Sequence, residues 1–192
     1  MKINKIFEIG VMKTGTSSLG AAFRQLGYKD MKYHPAAYDK FIESQHTDYK
    51  SLFNIIDQYE AFQDGPWHDC DFRRLDKYYP NSKFIVLERD DESWIRSMEL
   101  HNSPAYNVHN ISKRYLHDEW VNSRDETIER KLKWKKEKYE KIEKYFKNRP
   151  DDLLVMYICA GEGWEKLCPF LNKEPLQEPF PKKNVHNSSK VY

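Results

Sequence analysis

A chain of 192 residues holds enough material for one domain with a sizeable buried core. Its 32 basic and 30 acidic residues leave a formal net charge of +2, so no overall field draws it to a nucleic acid, although a local basic pocket is compatible with that balance. The odd count of cysteines (Cys70, Cys159, Cys168) and the lack of any C-x-x-C pair argue against a disulfide framework or structural zinc, and predict a reducing, cytoplasmic setting.

In chain order, Met1 to Lys5 shows no signal-peptide pattern and leads into a first strand at about Ile3–Ile9. A helix follows from near Ser17 to Leu26, with Leu19, Ala22, Phe23 and Leu26 on its apolar face and Gly27 as its stop. Pro35 to Ser44 reads as a helix with proline in its first turn, and Ser51 to Tyr59 as another. Ala61-Phe62-Gln63 is a short strand ending at the turn Asp64-Gly65-Pro66, and Asp71 to Tyr79 is helical up to Pro80. Phe84-Ile85-Val86-Leu87 is an unbroken apolar run, as a strand buried on both faces should be.

A helix over Glu92–Leu100 precedes a loop over Asn102–Asn110. Ile128, Leu132, Tyr139, Ile142 and Phe146 then share one face of a long helix whose lysine–glutamate remainder reads as solvated. Leu153 to Ile158 is a further buried strand, Gly163 to Leu171 a short helix, and residues 172–192 an extended tail packing on the rest. No stretch is long and apolar enough to span a bilayer. Strands alternating with helices predict an α/β fold of three layers, a central parallel sheet flanked by helices, with its ligand at the carboxyl ends of the strands.

The richest segment is Gly10-Val11-Met12-Lys13-Thr14-Gly15-Thr16-Ser17-Ser18-Leu19, where strand, turn and helix start meet. Backbone N–H groups of such a turn and the positive end of the helix favour an anion. Lys13 adds a full charge, and Thr16, Ser17 and Ser18 add hydroxyl donors. Gly10 and Gly15 have Walker A spacing, but Thr16 stands where that motif has lysine. A second segment, Tyr79 to Ser97, places Arg89 at a strand end and Ser97 eight positions later; the guanidinium fork suits phosphate. A surface pairing of Arg89 with Glu88, Asp90 or Asp91 is the other reading. A third comprises Gly161 to Leu171 and Glu178-Pro179-Phe180-Pro181-Lys182-Lys183-Asn184.

Together these three segments resemble the sulfotransferase superfamily, in a compact single-domain branch spanning residues 1–192 with a P-loop NTPase-like fold. The resemblance implies 3′-phosphoadenosine 5′-phosphosulfate as donor, adenosine 3′,5′-bisphosphate as product and no metal. It implies that Lys13, Thr14, Gly15, Thr16, Ser17 and Ser18 hold the 5′-phosphosulfate and that Arg89 and Ser97 hold the 3′-phosphate. Lys182 and Lys183 are further candidates for that phosphate, or solvated tail lysines.

Lys13 is the candidate for neutralising the leaving oxygen. Cytosolic members carry the catalytic base on a His-x-Pro turn; the corresponding turn here is Asp64-Gly65-Pro66, which puts Asp64 in that role, with His68 and Asp69 as competitors. The chain departs from the family at Met12, usually proline, at Ser18, usually aromatic, and in lacking the Arg-Lys-Gly segment. The expected acceptor is a small molecule or glycan, with no nucleic-acid partner. Its pocket is expected from Pro35–Tyr59 and Ala105–Trp120, with Tyr38, Phe41, Tyr106, Tyr115 and Trp120 lining it or serving as core. His34, His46, His68, His101, His109, His117 and His186 lack ligand spacing for a metal. Two other functions stay open: a magnesium-dependent small-molecule or nucleotide kinase using Asp90 or Asp91, and a catalytically inactive nucleotide-binding module.

Overall fold

The chain runs through β1 (Ile6–Glu8), α1 (Thr16–Gln25), β2 (Asp30–Met31), α2 (Pro35–Glu43), α3 (Tyr49–Ile56), β3 (Ala61–Phe62), α4 (Phe72–Tyr78), β4 (Lys83–Leu87), α5 (Asp91–Asn102), α6 (Arg124–Phe146), β5 (Leu153–Met156) and α7 (Trp164–Phe170). The structure is a computed structural model that describes residues 4–43, 49–102 and 123–183. It has two compact units, one drawn from residues 1–88 and 149–192 and the other from residues 89–148.

The first unit carries a parallel sheet in the order β2-β3-β1-β4-β5. Alternation along its central strands sorts the side chains into two cores. Ile6, Ile85 and Leu87 pack with Leu19, Ala22 and Phe23 of α1 and with Trp164, Leu167 and Cys168 of α7. On the other face Phe7 stacks between Phe62 (4.9 Å) and Phe84 (5.8 Å), and Trp67 meets Phe62 edge-on. Tyr79, just after α4, closes this aromatic layer against Phe7 and Phe53 of α3. The predicted α/β class, a parallel sheet flanked by helices, is the observed one.

Helix α1 stops where the glycine signal placed its end. Gly27 takes φ +84°, Gly27 N donates to Arg24 O, and Tyr28 N donates to Phe23 O at 2.9 Å. The rings of Phe23 and Tyr28 meet edge-on at 6.3 Å, the apolar contact that accompanies this kind of helix end.

Several boundaries differ from expectation. The strand expected to reach Ile158 ends at Met156, because Ile158–Ala160 turns into a short 3₁₀ segment. Asn102, expected to open a loop, is the last residue of α5; the rest of that expected loop, residues 103–110, lies outside the described residues. Strand β2 was not anticipated; its two residues, Asp30 and Met31, pair with Ala61 and Phe62.

In the second unit α5 and α6 are joined by an ion pair between Glu99 and Arg124 (2.7 Å). A cleft of about 600 Å³ between these helices is lined in part by Ile95, Ile128 and Leu132. None of the residues lining it is a candidate site residue. Among the described residues no helix is long and apolar enough to cross a membrane.

Candidate functional site

The turn after β1 is built by its own polar groups. Gly10 N donates to the buried Glu8 carboxylate (Oε1, 2.8 Å), and Thr14 Oγ1 donates to Val11 O at 2.7 Å. The Thr14 hydroxyl therefore closes the loop rather than pointing away from it. Lys13 adopts φ 67°, a left-handed conformation uncommon outside glycine. Gly15, at φ 113°, caps α1, and its carbonyl accepts from Ser18 N and Leu19 N. No side chain caps this helix end, and its first turn carries no acidic residue, so the positive end of the dipole is not offset locally. A Cβ on Gly15 would lie 3.3 Å from the Ile158 side chain, which leaves little room for any other residue.

Two later segments converge on this turn. Cys159 Sγ donates to Thr14 O at 3.5 Å. Lys183 N donates to Ser18 Oγ at 3.0 Å, which fixes the tail against the first turn of α1. The tail is anchored just upstream, where Phe180 packs on Trp164 (4.7 Å) and Trp164 Nε1 donates to Glu178 O (2.7 Å). Lys182 and Lys183 are exposed, Thr16 and Ser18 are buried, and Ser17 is half-buried.

Asp64 follows β3, the neighbour of β1 in the sheet. It has φ 73°, and its Oδ1 accepts from Gly65 N at 3.0 Å. His68 belongs to the same turn, with its N–H donating to Asp64 O at 3.4 Å. The His68 ring is buried and lies 3.3 Å, Nε2 to Oδ2, from Asp69. Asp64 is half-buried, which leaves its carboxylate more accessible than the His68 ring.

In the second unit Arg89 Nε donates to Ser93 Oγ at 2.8 Å, a partner one helical turn away that was not among those foreseen. The Ser93 side-chain and backbone hydrogen bonds hold the Asp90 carboxyl below its ordinary range, with a smaller contribution from Arg89. Ser97 is buried in α5. Lys135 of α6 is buried as well: its Nζ donates to Arg89 O (2.6 Å) and Asp91 Oδ1 (2.8 Å), and lies over the rings of Trp94 and Tyr139. Sequence reasoning read that helix face as solvated, yet Lys135 sits three residues after Leu132 and four before Tyr139, on the apolar stripe itself.

Of the residues expected to line an acceptor pocket, Phe41 is core, packed edge-on against Tyr49. Tyr38 is half-buried beside Gly65. Tyr106, Tyr115 and Trp120 lie outside the described residues, as do His46, His109, His117 and His186. The cysteines are free thiols. No group of three His, Cys, Asp or Glu side chains among the described residues could hold a metal ion.

A strand–turn–helix unit at the carboxyl edge of a parallel sheet, met by a basic tail, is an arrangement suited to an anionic ligand. The sulfotransferase-domain family model matches residues 5–189, and the chain belongs to that family. The Ava biosynthesis cluster protein M of Aspergillus versicolor is 23% identical over 215 aligned positions, covering 92% of this chain and 79% of that protein. The crystal structure of a sulfotransferase from Alicyclobacillus acidocaldarius superposes with a TM-score of 0.58 at 14% identity, covering 98% of this chain and 88% of that one; this likeness speaks to the fold.

Proposed function

We propose that this chain is an enzyme that moves a sulfuryl group from 3′-phosphoadenosine 5′-phosphosulfate to a hydroxyl or amine of its acceptor. The observation that carries this reading is the turn from Gly10 to Gly15. It delivers an uncapped helix N-terminus, a lysine held in a left-handed conformation, and a basic tail fixed to Ser18 in one place. The close approach of Ile158 to Gly15, with its φ of 113°, supports a cradle that any other residue at this position would strain.

With donor bound, the acceptor heteroatom bonds to sulfur as the bond from sulfur to the bridging phosphate oxygen breaks, releasing adenosine 3′,5′-bisphosphate. Lys13 and the α1 N-terminus would neutralise the charge developing on that leaving oxygen, an interaction stronger in the transition state than in the ground state. Asp64 would receive the acceptor proton on its carboxylate. Arg89 and Ser97 would hold the 3′-phosphate; Lys135, through its hydrogen bond to the Arg89 carbonyl, would fix the backbone from which that arginine projects.

Calorimetry with a paired set of nucleotides tests the assignment. Adenosine 3′,5′-bisphosphate should bind without magnesium. Arg89→Ala should weaken it roughly ten- to a hundredfold, the worth of one charge-assisted contact, while adenosine 5′-phosphate, which lacks the 3′ group, changes little. Equal weakening of both ligands would remove Arg89 from the 3′-phosphate.

A further inference from the structure

The sheet order β2-β3-β1 brings the segments that follow these strands side by side at one edge. Lys32 to His34 follow β2, and Asp64 to Pro66 follow β3. The two segments are joined by His34 N donating to Gly65 O (3.1 Å) and by Trp67 Nε1 donating to Lys32 O (3.2 Å). On this joined platform Tyr33 and Tyr38 stand 5.7 Å apart with rings tilted by 53°. Both close over Gly65: a Cβ there would lie 3.1 Å from the Tyr38 ring and 3.3 Å from that of Tyr33. Tyr33 is 47% exposed, so an aromatic face lies open beside Asp64 without serving the core.

Carboxylates stand around these rings, beside Lys32 and His34 of the same segment. Burial is the first cause that raises both phenols above their ordinary range, but carboxylates add to it: Asp39 and Asp64 act on Tyr33, and Asp69, Asp39 and Asp64 act on Tyr38. The basic tail is fixed to α1 after β1, and the aromatic platform with Asp64 and Asp69 follows β2 and β3.

We propose that Tyr33 and Tyr38 form the acceptor wall, and that the acceptor is a neutral or cationic ring-bearing alcohol or amine rather than an anionic one. This rests on the sulfuryl-transfer reading above and narrows its substrate class. A flat ring gains stacking on the tyrosines, and an ammonium arm gains attraction both to the ring faces and to the carboxylates. A carboxylate or sulfate arm meets like charge at Asp39, Asp64 and Asp69 instead.

Three phenols separate the possibilities, because they share a ring and a hydroxyl and differ in the charge of one arm: tyramine, para-ethylphenol and para-hydroxyphenylacetate. With radiolabelled donor, kcat/KM for the first two should exceed that for the anion by roughly tenfold or more. Asp39→Asn should narrow the gap. Tyr33→Ala, at a half-exposed position, should raise KM for para-ethylphenol while calorimetry shows unchanged affinity for adenosine 3′,5′-bisphosphate. Equal or better turnover of the anion, sulfation of none of the three, or an unchanged KM in Tyr33→Ala overturns the proposal. If adenosine 3′,5′-bisphosphate binds in those cases, only the acceptor assignment falls; if it does not bind, the sulfuryl-transfer reading falls and this inference with it.

Discussion

Lys13→Ala should turn over on the order of a hundred- to a thousandfold more slowly than the parent chain, while its affinity for adenosine 3′,5′-bisphosphate falls far less. The asymmetry follows from where the charge is needed. In the proposed binding mode the desulfated product would already present its 5′-phosphate to the helix N-terminus, so one lysine would add modestly to ground-state binding. The leaving oxygen gains charge only as the bond to sulfur breaks, and a preorganised ammonium then acts at full strength. Lys13 is held at φ 67° by the turn around it, and alanine at the same φ meets a similar backbone constraint, so backbone strain does not separate the two chains. Single-turnover kinetics beside product calorimetry reads both quantities. A variant losing affinity and turnover equally would make Lys13 a binding residue only.

Asp64→Asn should lower turnover by roughly a hundred- to ten-thousandfold, the range for removing a positioned general base. The substitution is mild for the fold. Asparagine tolerates the left-handed φ of 73°, and its amide oxygen can still accept the Gly65 N–H that Asp64 Oδ1 accepts now. Melting temperature and donor-product affinity should therefore stay close to the parent values. His68→Ala is the control, since that ring is buried against Asp69 and its loss acts first on stability. Full activity in Asp64→Asn together with a folded, inactive His68→Ala would move the proton acceptor to His68.

What the sequence disclosed, and what it withheld, follows from the length of the signals. Phe84–Leu87 and the Leu19–Phe23 face are long enough for periodicity to speak, and both became core. Gly27 was legible because only a left-handed residue suits that helix stop. Strand β2 was not legible: two residues, one of them aspartate, carry no alternation, and only their pairing with β3 makes them a strand. That pairing places Tyr33 beside Asp64, so Tyr33 could not be anticipated as the neighbour of Tyr38, which the sequence does offer as a pocket-lining candidate.

Lys135 was missed for another reason. Its neighbours at Lys133 and Lys136 are solvated, and its charge suggested the same face, whereas its spacing from Leu132 and Tyr139 put it inside. The tail's lysines stand out in the sequence for their side chains, but the contact to Ser18 is made by the Lys183 backbone.

The central claim is that a sulfuryl group leaves the phosphosulfate donor in the active site of this chain. The most direct measurement incubates the purified protein with donor labelled at the sulfur, an acceptor mixture of phenols, amines, lipids and glycans, and a chelator that removes magnesium. Label should move onto an acceptor, and adenosine 3′,5′-bisphosphate should accumulate in equal amount. Absence of label transfer, combined with magnesium-dependent phosphorylation when ATP replaces the donor, would contradict it and make the chain a kinase.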